Sequence, residues 1–174
     1  AYWDFVKFGE SIIAFNGADA PRTWTLDTST DFAALGGSPP TFRHAAVINN
    51  FVVTGFQPTA RNRVQWSSVN DATSWTAGTN QADFEDLPEG GVVTGVTGGQ
   101  FGLIFQENRI TRMDYRGGNV IFSFIISTSF IFIVNLFFSA FMKFLTKISG
   151  ADAPDDIPIV LNFPISSYGI SLSE

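Results

Sequence analysis

From Tyr2 to Phe124 the apolar positions fall in short runs broken by Gly, Asn, Asp and Pro, and none recurs at helical spacing. Three stretches share one grammar, an apolar run, a turn pair and a second apolar run. They read WDFVKFGESIIAFNG with Gly9-Glu10 at the turn, FRHAAVINNFVVTGF with Asn49-Asn50, and GVVTGVTGGQFGLIF with Gly98-Gly99. Asn and Gly tolerate the positive φ angles of tight hairpins, which places these pairs between antiparallel strands. Further strands are expected after each hairpin, at Arg22 to Leu26, at Arg63 to Ser67, and at Arg109 to Tyr115 with Val120 to Phe124. The turns lie about 40 and then about 49 residues apart, the period of four-stranded propeller blades. The pattern therefore predicts an all-β chain of antiparallel sheets, arranged over residues 1–124 as roughly three propeller-like blades of a partial propeller.

A second repetition sits in the turns. GADAPRTW ends in Thr23-Trp24 with Asp19 four residues before the Thr, and SVNDATSW ends in Ser74-Trp75 with Asn70 four before the Ser. The second is similar to the Asp-box hairpin of sialidase-type propellers, Ser-x-Asp-x-Gly-x-Thr-Trp. Ser68, Asn70, Ala72, Ser74 and Trp75 take the corresponding places, with Asn for Asp and Ala for Gly. In such a hairpin an Asx side chain caps backbone N–H groups while the Trp packs into the blade. This gives Asp19, Thr23, Trp24, Ser68, Asn70, Ser74 and Trp75 a structural role; the competing reading makes Trp24, Trp66 or Trp75 a platform for sugar rings.

Past Phe124 the character changes. No charge occurs from Gly117 to Met142, and the run from Val120 to Met142 is long enough to cross a bilayer as a helix. It nevertheless opens with what reads as the last strand of the third blade, and its Phe, Ile, Ser and Thr also suit buried strands. Residues 125–148 are thus a separate hydrophobic segment, buried strands or helix, and residues 149–174 a Pro-containing tail of loops and short strands in which GADAP recurs at Gly150 to Pro154.

Composition sharpens this picture. Among 174 residues, 19 are Phe and 15% are charged, against about 25% in ordinary domains, so the chain is built to bury surface in a single cored domain or part of a larger one. A net charge of −6 argues against a phosphate-binding surface, because nucleic-acid affinity comes mainly from Lys and Arg. With no Cys, disulfide, thiolate and sulfur-ligated zinc chemistry are excluded. Without an initiator Met or a secretory segment at the start, the chain reads as a processed or partial product.

Candidate chemistry is sparse. His44 is the only histidine, so any Ser/His/Asp triad must use it, but it opens an apolar strand and reads as a packed structural side chain. The cluster DFEDLPEGG offers Asp83, Glu85, Asp86 and Glu89 as hard oxygen ligands without a regular ligand spacing, and is expected to be a solvated loop before a strand. Glycosidase chemistry needs two carboxylates facing across a cleft, and no pair stands out. Arg109 and Arg112 flank Ile110 and Met113 in a strand expected at an exposed edge, where directed guanidinium hydrogen bonds suit a protein interface. No phosphate loop, dinucleotide fingerprint, paired-His motif or calcium loop occurs, so no cofactor is expected.

The order of GADAPRTW, GSPPTFRHAAVINNFVVTG, NRVQWSSVNDATSW, LPEGGVVTGVTGGQFGLIFQENRITRMDY and GGNVIFSF resembles phage virion proteins of the tail hub, nozzle or head-to-tail closure type, over about Ala1 to Phe124. The resemblance implies a propeller-like structural subunit located in the virion, without catalysis, forming a homo-oligomeric ring around the DNA channel. Portal or adaptor proteins would contact one face and tail parts the other, and DNA would pass an acidic lining without specific binding; no membrane partner is expected from the residues, the alternative being a membrane-anchored β domain held by Val120 to Met142. After Phe124 the charge-free run departs from that pattern.

Overall fold

Alternating side chains and positive-φ turn residues are what a meander of short strands requires, and the computed structural model, which describes residues 3–126, consists of such meanders. Among these residues lie twelve strands in three four-stranded antiparallel sheets, each formed by consecutive strands. The first holds β1 (Asp4–Phe8), β2 (Ser11–Phe15), β3 (Arg22–Thr25) and β4 (Ala33–Ala34). The second holds β5 (His44–Ile48), β6 (Phe51–Gln57), β7 (Ala60–Trp66) and β8 (Asp83–Asp86). The third holds β9 (Val93–Thr97), β10 (Phe101–Gln106), β11 (Ile110–Tyr115) and β12 (Phe122–Ile126). All three hairpins expected from the sequence are present, with Phe8 opposite Ser11, Ile48 opposite Phe51 and Thr97 opposite Leu103. In the first two turns a single residue carries the positive φ, Gly9 at 57° and Asn49 at 52°.

The period of two decides how the sheets pack. On β6, Phe51 and Val53 point into a cluster with Val93, Ile104, Met113 and Phe122 of the third sheet, whereas Val52 between them joins Ile13, Phe15, Phe42 and Trp75 on the side of the first. The second sheet is therefore buried on both faces, which explains why β6 is almost wholly buried along its length. Each cluster is an interface between consecutive sheets, and the first strands lie side by side, β1 near β5 and β5 near β9. The seam between the second and third sheets closes through the backbone: Gly99 N–H donates to Val47 C=O at 3.0 Å and Asn49 N–H to Gly99 C=O at 3.0 Å.

Several expectations need correction. The acidic stretch expected as a loop is strand β8, paired with β7, followed by a 3-10 turn at Pro88–Gly90. The two-residue, exposed strand β4 was not foreseen, and β7 begins at Ala60, three positions before the strand expected there. The strand carrying Arg112 is not at an edge, because β11 lies between β10 and β12. The charge-free run does open with a strand, as expected, but β12 continues to Ile126, so the boundary placed after Phe124 falls inside it. The remainder of the run and the tail, including the second GADAP, lie outside the described residues.

Candidate functional site

The stretch from Arg63 to Trp75 places its two tryptophans at two different sheet interfaces. Trp66 ends β7 and faces the third sheet, 4% exposed, with Phe122 edge-on at 5.1 Å and its Nε1–H donated to Gln81 C=O at 2.8 Å. Trp75 follows the turn and faces the first sheet, also 4% exposed, tilted against Phe42 at 6.3 Å, its Nε1–H donated to Ala72 C=O at 2.7 Å. Neither ring is presented to solvent as a sugar platform. Trp24 alone of the three is half-buried, opposite Ile12 in the β2–β3 pair.

Between Trp66 and Trp75 the polar residues tie the loop to itself. The buried Ser68 hydroxyl lies 2.8 Å from Ser74 Oγ and 3.0 Å from Thr79 C=O, and Ser68 N–H donates to Ser74 C=O at 2.8 Å. The Asx role falls one residue later than the motif alignment puts it. Asp71 Oδ1 accepts from Thr73 N–H at 2.8 Å and Thr73 Oγ1–H at 2.7 Å, while Asn70 supplies the left-handed backbone, φ 58°. Asp71→Ala is expected to lower stability by about 1 kcal/mol and Asn70→Gly to leave it nearly unchanged, because Gly adopts that φ freely; urea denaturation of both variants checks the assignment.

The upstream turn uses a different residue. Asn16 Oδ1 accepts from Ala18 N–H at 2.9 Å and Asp19 N–H at 2.8 Å, and its Nδ2–H donates to Asp19 Oδ2 at 2.7 Å. This turn lies between β2 and β3 and Thr23-Trp24 lies within β3, whereas Ser74-Trp75 follows β7. The equal spacing in sequence thus does not place the two motifs at equivalent positions of their sheets.

The arginines give the site its electrostatics. Arg63 holds Asp86 with a fork, Nε to Oδ1 and Nη2 to Oδ2, both 2.8 Å, and its Cζ lies 3.8 Å from the Phe84 ring centroid. The hydrogen bond from Arg63 holds the Asp86 carboxyl below its ordinary range and raises Arg63 in turn. Arg112 repeats the arrangement on the outer face of the third sheet, 4.2 Å from the Phe101 centroid and bonded to Asp114 at 2.8 to 3.0 Å. Arg109, by contrast, lies within the structure, its side chain 14% exposed, donating to Glu89 at 2.9 Å and to Gln106 at 3.3 Å. Glu89 is held below its ordinary range first by its own backbone N–H and then by Arg109.

Gln106 escaped the sequence reading. Buried, it donates from Nε2 to Leu87 C=O and Gly91 C=O, each at 2.9 Å, and accepts from Thr111 Oγ1–H at 3.3 Å, clasping the linker between the second and third sheets. Nothing in IFQENR distinguishes this glutamine from a surface one. Also missed were Arg43, Phe56 and Arg61, which meet at one end of the second sheet: the guanidinium carbons lie 5.2 and 5.7 Å from the Phe56 ring centroid. They converge because β6 is irregular between Gly55 and Gln57, a bulge whose extra residue is not written in hydrophobic periodicity.

His44 opens β5 as expected, half-buried and edge-on to Phe56 at 6.4 Å. Burial, then the Arg43 charge, holds it below the ordinary imidazole range against the opposing pull of Asp4. Among the described residues no three His, Asp or Glu side chains group to hold a metal, so Asp83, Glu85, Asp86 and Glu89 do not converge on one. Nor does any described helix have the length and apolarity to cross a membrane.

Taken together, the described residues define an all-β protein of three four-stranded antiparallel sheets whose polar side chains mainly fasten turns and linkers. Compared with protein-family models, curated proteins and solved structures, the chain matches none.

Proposed function

We propose that the three sheets are propeller-like blades and that the chain is a non-enzymatic structural subunit of a phage virion, a tail hub, nozzle or head-to-tail connector that forms a ring through protein interfaces. The observation that carries the assembly is the set of exposed hydrophobic side chains on the unlike outer faces at the two ends of the sheet series, where they are interspersed with Lys7 and Arg22 on the first sheet and with the Arg112–Asp114 pair on the third. On the first sheet, the face away from the second carries Phe5, Ile12 and Trp24, and Phe32 lies 6.3 Å from Phe5; Phe5 is 56% and Phe32 43% exposed. On the third, the corresponding face carries Phe101, Leu103, Phe105 and Ile125, with Ile125 47% exposed. Such faces normally lie against a partner. Two unlike faces allow one to dock on the other, and such a head-to-tail contact, when it closes, makes a ring. The phage assignment rests on the ordered resemblance of the sequence segments, and the net charge of −6 suits a channel that lets DNA pass.

The expected result is a ring-shaped oligomer of the full chain by electron microscopy and light scattering, and monomers for Phe5→Ser/Phe32→Ser with an unchanged β-type circular dichroism spectrum. A parent chain that stays monomeric at high concentration and binds on a glycan array would replace this proposal with a carbohydrate-binding one, in which the half-exposed Trp24 is the remaining platform.

A further inference from the structure

Two of the arginine clusters share a three-part construction, a phenylalanine ring, a guanidinium against it and an aspartate on the guanidinium: Phe84–Arg63–Asp86 and Phe101–Arg112–Asp114. A third cluster has two of the three parts. Phe56 carries both Arg43 and Arg61, and among the described residues neither arginine makes an ion pair, although the chain has 16 acidic against 10 basic residues. Arg43 and Arg61 are both exposed residues, open to a ligand from solvent. Phe56 itself sits on the bulge with φ 59°, a conformation that costs a bulky residue free energy and that recurs where structure serves binding. Two like charges held against one ring leave an unneutralised positive spot on an acidic protein, and the guanidinium fork matches a carboxylate.

We infer that Arg43, Phe56 and Arg61 form a binding site for a carboxylate of an acidic polypeptide segment, which supplies the third part present in the other two clusters. Polypeptide is favoured over nucleic acid because two guanidiniums at one ring make a site the size of a single carboxylate, too few cations for a phosphate chain to follow. The site is independent of the terminal sheet faces, so loss of ring assembly and loss of this binding are separate outcomes.

The test uses the full chain and a fluorescein-labelled oligoglutamate peptide read by anisotropy at low salt. The parent is expected to bind with an affinity that falls as salt is added, Arg43→Gln/Arg61→Gln to bind about tenfold or more weakly, as loss of a charge-assisted contact predicts, and the distant Arg116→Gln to match the parent. In thermal melts without peptide, Arg43→Gln/Arg61→Gln is expected to keep or raise the melting temperature, since it removes an unneutralised pair, whereas Arg63→Gln lowers it. No binding by the parent, equal binding by the double variant, or binding of a single-stranded oligonucleotide in place of the peptide overturns the assignment.

Discussion

Trp66→Ala is expected to destabilise the protein by about 3–5 kcal/mol, the usual cost of deleting a large buried aromatic side chain. Three losses combine. The indole fills the space between the second and third sheets, where it meets Phe122 at 5.1 Å and Phe124 at 6.2 Å, and strands on both sides hold the cavity open. Its removal also takes the donor from Gln81 C=O. Trp66→Phe separates the contributions: most of the ring remains, and the deficit should shrink to about 1–2 kcal/mol, mainly the unpaired carbonyl and the lost ring volume. Equilibrium urea denaturation, with the slope of the transition unchanged, is the measurement; a loss under 1 kcal/mol for the alanine variant, on the ordinary scale of surface substitutions, would mean the two sheets do not pack through this ring.

The second large effect is expected at a residue with no side chain. A Cβ on Gly98 would collide with the Val47 carbonyl, a backbone group that cannot rotate away. That same carbonyl accepts from Gly99 N–H, so the collision and the seam share an atom. Gly98→Ala should therefore cost about 2–4 kcal/mol, overpacking plus weakened seam hydrogen bonds. Gly118→Ala is the comparison: its φ of 69° is unfavourable to alanine, but its Cβ would meet nothing within 4 Å, so only about 1–2 kcal/mol is expected. Thermal melts of the two variants decide, and equal losses would remove close approach as the reason for Gly98.

These two positions show where sequence and structure part. Gly98 was legible as a turn residue, because a Gly-Gly pair between apolar runs has a local cause; its second constraint comes from a carbonyl about fifty positions earlier, which local pattern does not record. The strands were readable where a short run of Val, Ile, Leu and Phe is bounded by turn residues, as in β5, β6 and β10, and unreadable where a strand is only two residues long, as β4 is, or charged, as β8 is. Charges in DFED suggested solvent, and β8 does face it; what makes it a strand is the pairing of its backbone with β7 and the hold of Arg63 on Asp86. The Trp-containing turn was recognised but its capping residue was displaced by one, since Asn70 and Asp71 both suit an Asx turn and only the backbone φ separates them. The cluster on Phe56 was invisible for a stronger reason, as it joins residues from three segments across an irregular register.

Every sheet is made of strands that are neighbours in sequence. During synthesis the emerging polypeptide can close each sheet before the following one has left the ribosome, because almost all strand partners are near in sequence. Yet the inner face of the first sheet, with Ile13 and Phe15, stays wet until Phe42, Val52 and Trp75 arrive. Growth is therefore vectorial, each newly made layer completing the one before it.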